Sequence, residues 1–353
     1  MTLVVIGAGI VGAAVAHASA RAGAQVLLVD TALPASGVTG ASFAWIGGPS
    51  GGDVPDASSP VRRRVVQAYR RLEREVPGVS VRWSGSLVWL DEAGDPAPLG
   101  PDEQLLGPDE VARLEPHLAE PPPRALHRRS DGAVDPVAVT QALAGAARDH
   151  GAELLTACAV TRLRLDGHRV VGVETSAGFL PATRVVVAAG VGAPALCAPL
   201  GLDLPVAPSP AVLMRFTGPP GLVRTLVATP HLEVREAGAG RLLVAAAYQG
   251  EADEHDLRHA GEDMLRRLVA TFRGAEDVRL DAVTVGMRPM PADGLPVVGP
   301  VPGVDGAYVA VMHSGVTLAP AVAQLVAAEV VHGATAADLE GLRPDRFSPG
   351  VRG

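Results

Sequence analysis

The sequence predicts an α/β unit joined to an α+β unit, and three observations predict it. A glycine-rich turn, Gly7-Ala8-Gly9-Ile10-Val11-Gly12, falls between a buried apolar run and a helix of small residues. Asp30 closes the next apolar run. The region 205–283 alternates strand-like runs with one helix and does not repeat strand and helix. At 353 residues the chain is too long for one comfortable core, so two domains are expected.

In chain order, residues 3–6 form an apolar run of the kind found in buried parallel strands. Residues 10–22 follow as a helix stopped at Gly23, and 25–29 as a second buried strand. Glycine, serine, alanine and proline dominate 35–56, which reads as loop. Val61, Val65, Tyr69, Leu72 and Val76 then recur at helical spacing, with Arg62, Arg63, Arg70, Arg71 and Arg74 on the other faces as a solvated surface. A strand is expected over 80–90, and a proline-rich stretch over 96–123 with a short helix near 109–114. A turn at 131–135 lets Pro136 open a helix to about His150. Strands are expected at 154–165, 170–175 and 185–188. In the α+β region they fall at 212–216, 231–235 and 241–246, with a helix over 257–272. A strand at 308–311, a loop at 312–316 and a helix over about 318–331 complete the pattern.

Composition excludes several functions. The net charge is −8, which disfavours nucleic acid and anionic membrane surfaces as partners. All 30 basic residues are arginine, so lysine Schiff bases, P-loop lysines and lysine bases are excluded. Cys158 and Cys197 are too few for a disulfide framework or a thiolate zinc site. Mean hydropathy is high, at +0.24, but the most apolar stretches, 3–16 and 185–202, are broken by glycine, proline or nearby charge. No membrane insertion and a cytoplasmic setting are expected.

The glycines of 7–12 permit a tight turn and close approach of backbone to a pyrophosphate, while the helix start offers free N–H groups. Asp30 stands where a carboxylate accepts hydrogen bonds from ribose hydroxyls. The next segment, Val38-Thr39-Gly40-Ala41-Ser42-Phe43-Ala44-Trp45, departs from strand–helix alternation. Spacing alone leaves it open between the lining of a longer dinucleotide and an ordinary surface loop.

With these residues in place, the sequence resembles the FAD-dependent D-amino-acid oxidase superfamily, most closely its glycine oxidase and sarcosine oxidase branch. The resemblance also rests on Gly132-Ala133-Val134-Asp135-Pro136, on 185–190 and on Gly286-Met287-Arg288-Pro289-Met290-Pro291-Ala292-Asp293-Gly294-Leu295-Pro296. It extends to His313-Ser314-Gly315-Val316-Thr317-Leu318-Ala319-Pro320. It implies a Rossmann-like FAD-binding domain (1–78, 130–204 and 284–353) and a discontinuous substrate domain on an antiparallel sheet (79–129 and 205–283).

Carried over by position, FAD contacts are expected from Gly7, Gly9, Ile10, Val11, Gly12, Asp30 and Thr31. Thr39, Gly40, Ala41, Ser42, Phe43, Ala44 and Trp45 join them, as do Val160, Ala189 and Gly190. Met312, His313, Ser314, Gly315, Val316 and Thr317 are expected beside the flavin's pyrimidine edge, where a helix end with Pro320 in its first turn would stabilise negative charge. The resemblance implies that Arg288 pairs with a substrate carboxylate, a role suited to its planar fork. His313 is a second catalytic candidate, and His231, Glu233 and Tyr248 are candidates for the substrate side. A carboxylate at Glu233, where relatives often hold an aromatic residue, suggests a polar or cationic substrate group.

Three departures from the family qualify the expectation. Cys158 and Cys197 lie well before the region where some sarcosine oxidases attach flavin, so non-covalent FAD is implied. The lysine that promotes reaction with oxygen in relatives is missing, which leaves His313, an arginine, or a different electron acceptor. With tyrosines only at Tyr69, Tyr248 and Tyr308, the paired active-site tyrosines of D-amino-acid oxidase have no clear place. No metal is expected, because Glu254-His255-Asp256 and His259 do not form an H-E-x-x-H site.

The implied reaction is oxidation of an amine next to a carboxylate in an amino acid or N-substituted amino acid, with oxygen or another acceptor receiving the electrons. Alternatives are a flavin-dependent amino-acid dehydrogenase, a cyclic-imine-forming enzyme of a specialised pathway, and a non-catalytic flavin-binding protein.

Overall fold

The computed structural model describes residues 1–90, 98–251 and 253–347. Its central sheet has six strands in the order Val297–Pro300, Ala307–Val311, Arg184–Val187, Thr2–Ile6, Gln25–Val29, Glu153–Leu155. All neighbours run parallel except the edge pair of Val297–Pro300 and Ala307–Val311. The inner strands are almost wholly Val, Leu and Ile because both faces are covered. Leu3 and Val5 pack into a cluster with the helices Ile10–Arg21 and Gly315–His332. Val4 and Ile6 face the other way, towards Leu163, Val170 and Val173 of a three-stranded antiparallel sheet. Small residues along Ile10–Arg21 let it lie against both Gly315–His332 and Pro136–Asp149.

A second large sheet has eight strands: Arg279–Pro291, Val206–Thr217, Arg241–Ala247, Glu233–Glu236, Leu226–Ala228, Ser86–Trp89, Ala125–Arg128 and Glu103–Leu106. It is antiparallel but for one joint, where Leu226–Ala228 runs parallel to Ser86–Trp89. Side chains alternate between its faces. Val212, Met214, Phe216, Val234, Leu242 and Val244 point to one side, where Met264, Leu268 and Phe272 of the helix Glu254–Thr271 cover them. The opposite face is left for Arg215, Glu233, Arg235, Gly286 and Arg288. A short pair, Trp45–Ile46 with Gly132–Ala133, completes the sheets.

The mixed α/β and α+β architecture agrees with the sequence reading, while several elements differ. The expected strand over 80–90 is confined to Ser86–Trp89. The helix expected from Val61 to Val76 is two helices, Ser59–Arg62 and Val65–Glu75. The expected strand 154–165 divides into Glu153–Leu155 and Val160–Asp166, which belong to different sheets. Arg279–Pro291, a strand of 13 residues, was read only as a motif, and the expected division at 283/284 falls inside it. The start of the proline-rich stretch, 96–97, lies outside the described residues.

The C-terminal helix begins at Gly315, so Pro320 lies inside it and not in its first turn. Proline has no N–H to donate to the carbonyl of Val316. The hydroxyl of Tyr69, which is fully buried, donates to that oxygen instead. This helix is long and apolar enough to cross a membrane by length and composition, with a hydropathy of 1.4, but 56% of it is buried within the fold.

Candidate functional site

Gly7, Gly12 and Asp30 meet at the carboxyl ends of the parallel strands, where ligands of such sheets bind. Gly7 has φ +103°, and a Cβ there would lie 2.5 Å from the carbonyl oxygen of Ala188. A Cβ on Gly12 would lie 1.8 Å from the oxygen of Gly7. Only glycine allows the turn, the helix and the strand end at Ala188-Ala189 to approach this closely. Gly9 precedes the helix Ile10–Arg21 without any side-chain cap. The Ile10 N–H donates instead to Thr39 Oγ1 at 3.2 Å.

Asp30 accepts from the Ala8 N–H at 2.5 Å, the Ala32 N–H at 2.9 Å and the Thr31 hydroxyl at 3.2 Å. Two carboxylate oxygens have about four acceptor positions, so room is left for ribose hydroxyls. The Cys158 N–H donates to the Asp30 carbonyl at 2.9 Å, which brings the start of the strand at Val160 to the same place. Ala189 and Gly190 follow the strand that touches Gly7. The open glycine cradle, the uncapped helix start and the acidic strand end together fit a dinucleotide.

The segment 38–45 is held from several sides. Arg215 donates to the carbonyl of Gly40 at 2.7 Å. Arg235 donates to the carbonyls of Phe43 at 2.7 Å and Val134 at 2.9 Å, and it stacks over the Phe43 ring. Burial lowers the pKa of Arg235 to about 10, so it stays charged at neutral pH. Thr317 Oγ1 donates to the Trp45 carbonyl at 2.7 Å. The Trp45 indole donates to the buried carboxyl of Asp131 at 2.8 Å, which also accepts from Ser86 at 2.8 Å. A Cβ on Gly47 would lie 2.6 Å from Asp131 Oδ1, so glycine is needed to admit that carboxyl. Burial raises the Asp131 pKa, against the opposing charge of Arg128.

Backbone strain gathers around this region. Ala35, Ala44, Ala157 and Ser314 are non-glycine residues with positive φ, at 69°, 60°, 52° and 57°. Such conformations cost of order 1–3 kcal/mol each and concentrate at ligand sites. Ser314 gives the C-terminal helix no side-chain cap. Hydrogen bonding into that helix starts with Leu318 N–H to Ser314 O at 3.0 Å, so the preceding amides are open to a ligand.

Arg288 and Glu233 share the open face of the eight-stranded sheet. Arg288 donates to Ser209 Oγ at 2.9 Å and more weakly to the carbonyls of Ser209 and Pro210. His313 is half-buried, and burial, then Arg288, then Arg62 lower its pKa, so it is neutral at pH 7. Arg62, at the end of the helix Ser59–Arg62, is half-buried and so departs from the solvated face expected for its run. Glu233 is reached by solvent yet walled by protein, and burial raises its pKa. His231 is exposed in the turn before Glu233, where its hydrogen bonds among the described residues are made by its backbone. Tyr248 is not brought to this face. It packs with the helix-covered core, and its hydroxyl donates to the Glu251 carbonyl at 2.8 Å.

Sequence reading missed Arg62, Asp131, Arg215 and Arg235. Only Asp131 carried a local signal, because it directly precedes the Gly132–Pro136 motif. Both cysteines are free and buried. Asp253, His255 and Asp256 crowd together on the exposed surface, where Asp253 caps the start of the helix Glu254–Thr271. A groove of about 610 Å³ lies at the opposite, amino end of the parallel strands beside Thr2, Gln25 and Glu153.

Comparison with known proteins accords with this geometry. Residues 2–329 match the family model DAO, described as FAD dependent oxidoreductase. A glycine oxidase from Bacillus licheniformis is 28% identical over 338 residues, covering 92% of this chain and 91% of that protein. A D-amino acid dehydrogenase from Cereibacter sphaeroides is 30% identical over 374 residues, covering 86% and 85%. The crystal structure of glycine oxidase from Geobacillus kaustophilus matches with a TM-score of 0.85 and 25% identity, covering 98% of each chain.

Proposed function

The chain belongs to the DAO family of FAD-dependent oxidoreductases, and from that premise we propose that it oxidises the C–N bond of an amino acid or N-substituted amino acid. It is an FAD enzyme acting on amine donors, as its relatives are. The observation that carries the finer reading is Arg288 on the open sheet face, two residues from Gly286, which lies against Val38 and Ala41 of the segment 38–45.

FAD, when bound, supplies the two-electron oxidation. Gly7, Gly9 and Gly12 with the start of Ile10–Arg21 would hold its pyrophosphate, and Asp30 its ribose. Thr39, Phe43, Ala44, Trp45 and residues 312–317 would line the ring. The cofactor would be held without a bond to cysteine, since both cysteines are buried and burial pushes the Cys197 thiol up to about 11.

Arg288 would bind the substrate carboxylate through its guanidinium, which Ser209 steadies. Its position orients the amine carbon, a contribution made before any bond changes. The burial that, with the charges of Arg288 and Arg62, lowers the His313 pKa would act in the same sense on a bound ammonium and favour the free amine that oxidation needs. Positive charge beside the ring then comes from arginine, because His313 is neutral and the chain has no lysine. That absence supports a second reading, in which an acceptor other than oxygen takes the electrons. Mixing the reduced enzyme with oxygen in a stopped-flow instrument separates the two.

Arg288→Ala is expected to lower kcat/KM for carboxylate substrates by about 100-fold or more, with flavin still bound by absorbance. An unchanged kcat/KM would reject the role of Arg288.

A further inference from the structure

Ala44 is a strained residue in the segment 38–45. It is buried, and its φ of 60° lies in the left-handed region that disfavours a side chain. Because each peptide group is planar, the dihedrals of Ala44 follow from how the peptide groups on either side of it are turned. The group before it is fixed through the Phe43 carbonyl, which accepts from Arg235 Nε at 2.7 Å. The group after it is fixed through the Ala44 carbonyl, which accepts from the Val134 N–H at 3.3 Å. Arg235 joins these two anchors, since its Nη2 donates to the Val134 carbonyl at 2.9 Å. One guanidinium thus ties Phe43 to the residue that holds Ala44, and it covers the Phe43 ring at 5.4 Å.

Between Gly40 and Ser42 the same segment passes over a cavity of about 220 Å³, whose walls include Leu213, Arg215, Arg235 and Asp135. Apolar packing does not fix its path there, so polar links to the sheet must. Arg235 is well placed for that task. It is 4% exposed and belongs to the strand Glu233–Glu236, which is paired on both sides. Arg215 stands in the same row across the sheet, two strands away with Leu243 between them. Its donation to the Gly40 carbonyl holds the other end of the segment.

We propose that Arg235 is a positioning residue for the cofactor, holding Ala44 in the conformation in which the segment 38–45 receives FAD. This rests on the placement of that segment against the cofactor. Without the guanidinium, Ala44 relaxes towards ordinary backbone, and FAD binds only the fraction of molecules that return to the strained form, which lowers its apparent affinity.

Rescue at a second residue tests the proposal. Flavin-free protein is titrated with FAD, and the change in flavin fluorescence reports Kd. Arg235→Gln is expected to raise Kd about tenfold or more, as the loss of hydrogen bonds from a charged donor implies. Glycine adopts positive φ freely, so adding Ala44→Gly to Arg235→Gln is expected to recover about fivefold. In the wild type, where Arg235 already holds the conformation, Ala44→Gly is expected to change Kd by less than about twofold. Arg235→Lys keeps the charge without the two-pronged donation, and its Kd is expected to fall between those of the wild type and Arg235→Gln. Should the glutamine variant fail to fold, the same rescue is measured in Arg235→Lys. A Kd that the Arg235 substitution leaves unchanged overturns the proposal, as does an equal effect of Ala44→Gly with and without Arg235. Full recovery by lysine with none from Ala44→Gly also overturns it, because the arginine would then act through charge alone. Hydrogen exchange of the amides of 39–45 checks the underlying placement, since bound FAD is expected to protect them. Rescue by Ala44→Gly without that protection supports the hold of Arg235 on the segment and rejects the segment as a lining of the cofactor.

Discussion

Tyr69 shows how a single hydroxyl completes an element elsewhere in the chain. Pro320 leaves the carbonyl of Val316 without its helical donor, and the Tyr69 hydroxyl replaces that donor inside the core. Burial pushes its pKa above the ordinary tyrosine range, so the hydroxyl remains a donor at any physiological pH. Tyr69→Phe keeps the ring and orphans the carbonyl, and is expected to cost about 1–3 kcal/mol in urea unfolding. A change below about 0.5 kcal/mol, within the range of an ordinary surface substitution, would show that the carbonyl finds another donor. Nothing in the spacing of Tyr69 with its apolar neighbours announced this role. Periodicity assigns a residue to a buried face, but the bond partner of a buried hydroxyl depends on packing between distant segments. The same limit applies to Arg215 and Arg235, whose partners are carbonyls in the 40–44 segment.

Among elements, the contact between the helices Ile10–Arg21 and Pro136–Asp149 carries a titratable group. His17 is 4% exposed and its ring lies 5.9 Å from that of His150. Burial, followed by the charges of His150 and Arg21, lowers its pKa from 6.5 to about 4. Between those values the unfolded chain binds more protons than the folded one, so stability rises with pH across the window and levels off above it. The full swing is on the order of 3 kcal/mol for a group this buried. His17→Gln is expected to flatten the dependence of the unfolding midpoint between pH 7 and pH 5, and an equal slope in both proteins would exclude His17 as its source. Helix and strand identities near the glycine turn were legible, since Gly7, Gly12 and Asp30 act through local geometry. The start of the C-terminal helix was read near Leu318 because Pro320 normally belongs to a first turn. The helix instead begins at Gly315, where a Cβ would come within 3.3 Å of Val11. Tyr248 was misplaced for a comparable reason: just beyond the strand Arg241–Ala247, it continues the alternation onto the helix-covered face.

At the scale of the whole molecule, the glycine cradle makes cofactor uptake and stability one quantity. Ligand bound only by the folded state stabilises it by about 2.7 kcal/mol at a hundred times Kd. FAD added to the flavin-free protein should therefore raise its melting temperature. Gly12→Ala drives a Cβ to 1.8 Å from the oxygen of Gly7, so that variant is expected to purify colourless and show no such rise. Stoichiometric flavin in Gly12→Ala would mean that the turn can open without losing its ligand. The order of strands in the central sheet has a further consequence. Thr2–Ile6 lies between Gln25–Val29 and Arg184–Val187, and Arg184–Val187 in turn awaits Ala307–Val311. The first strand to leave the ribosome therefore keeps a bare apolar edge until more than half of the chain has been made. Prematurely terminated products would carry that edge permanently, and unpaired strand edges of this kind invite aggregation.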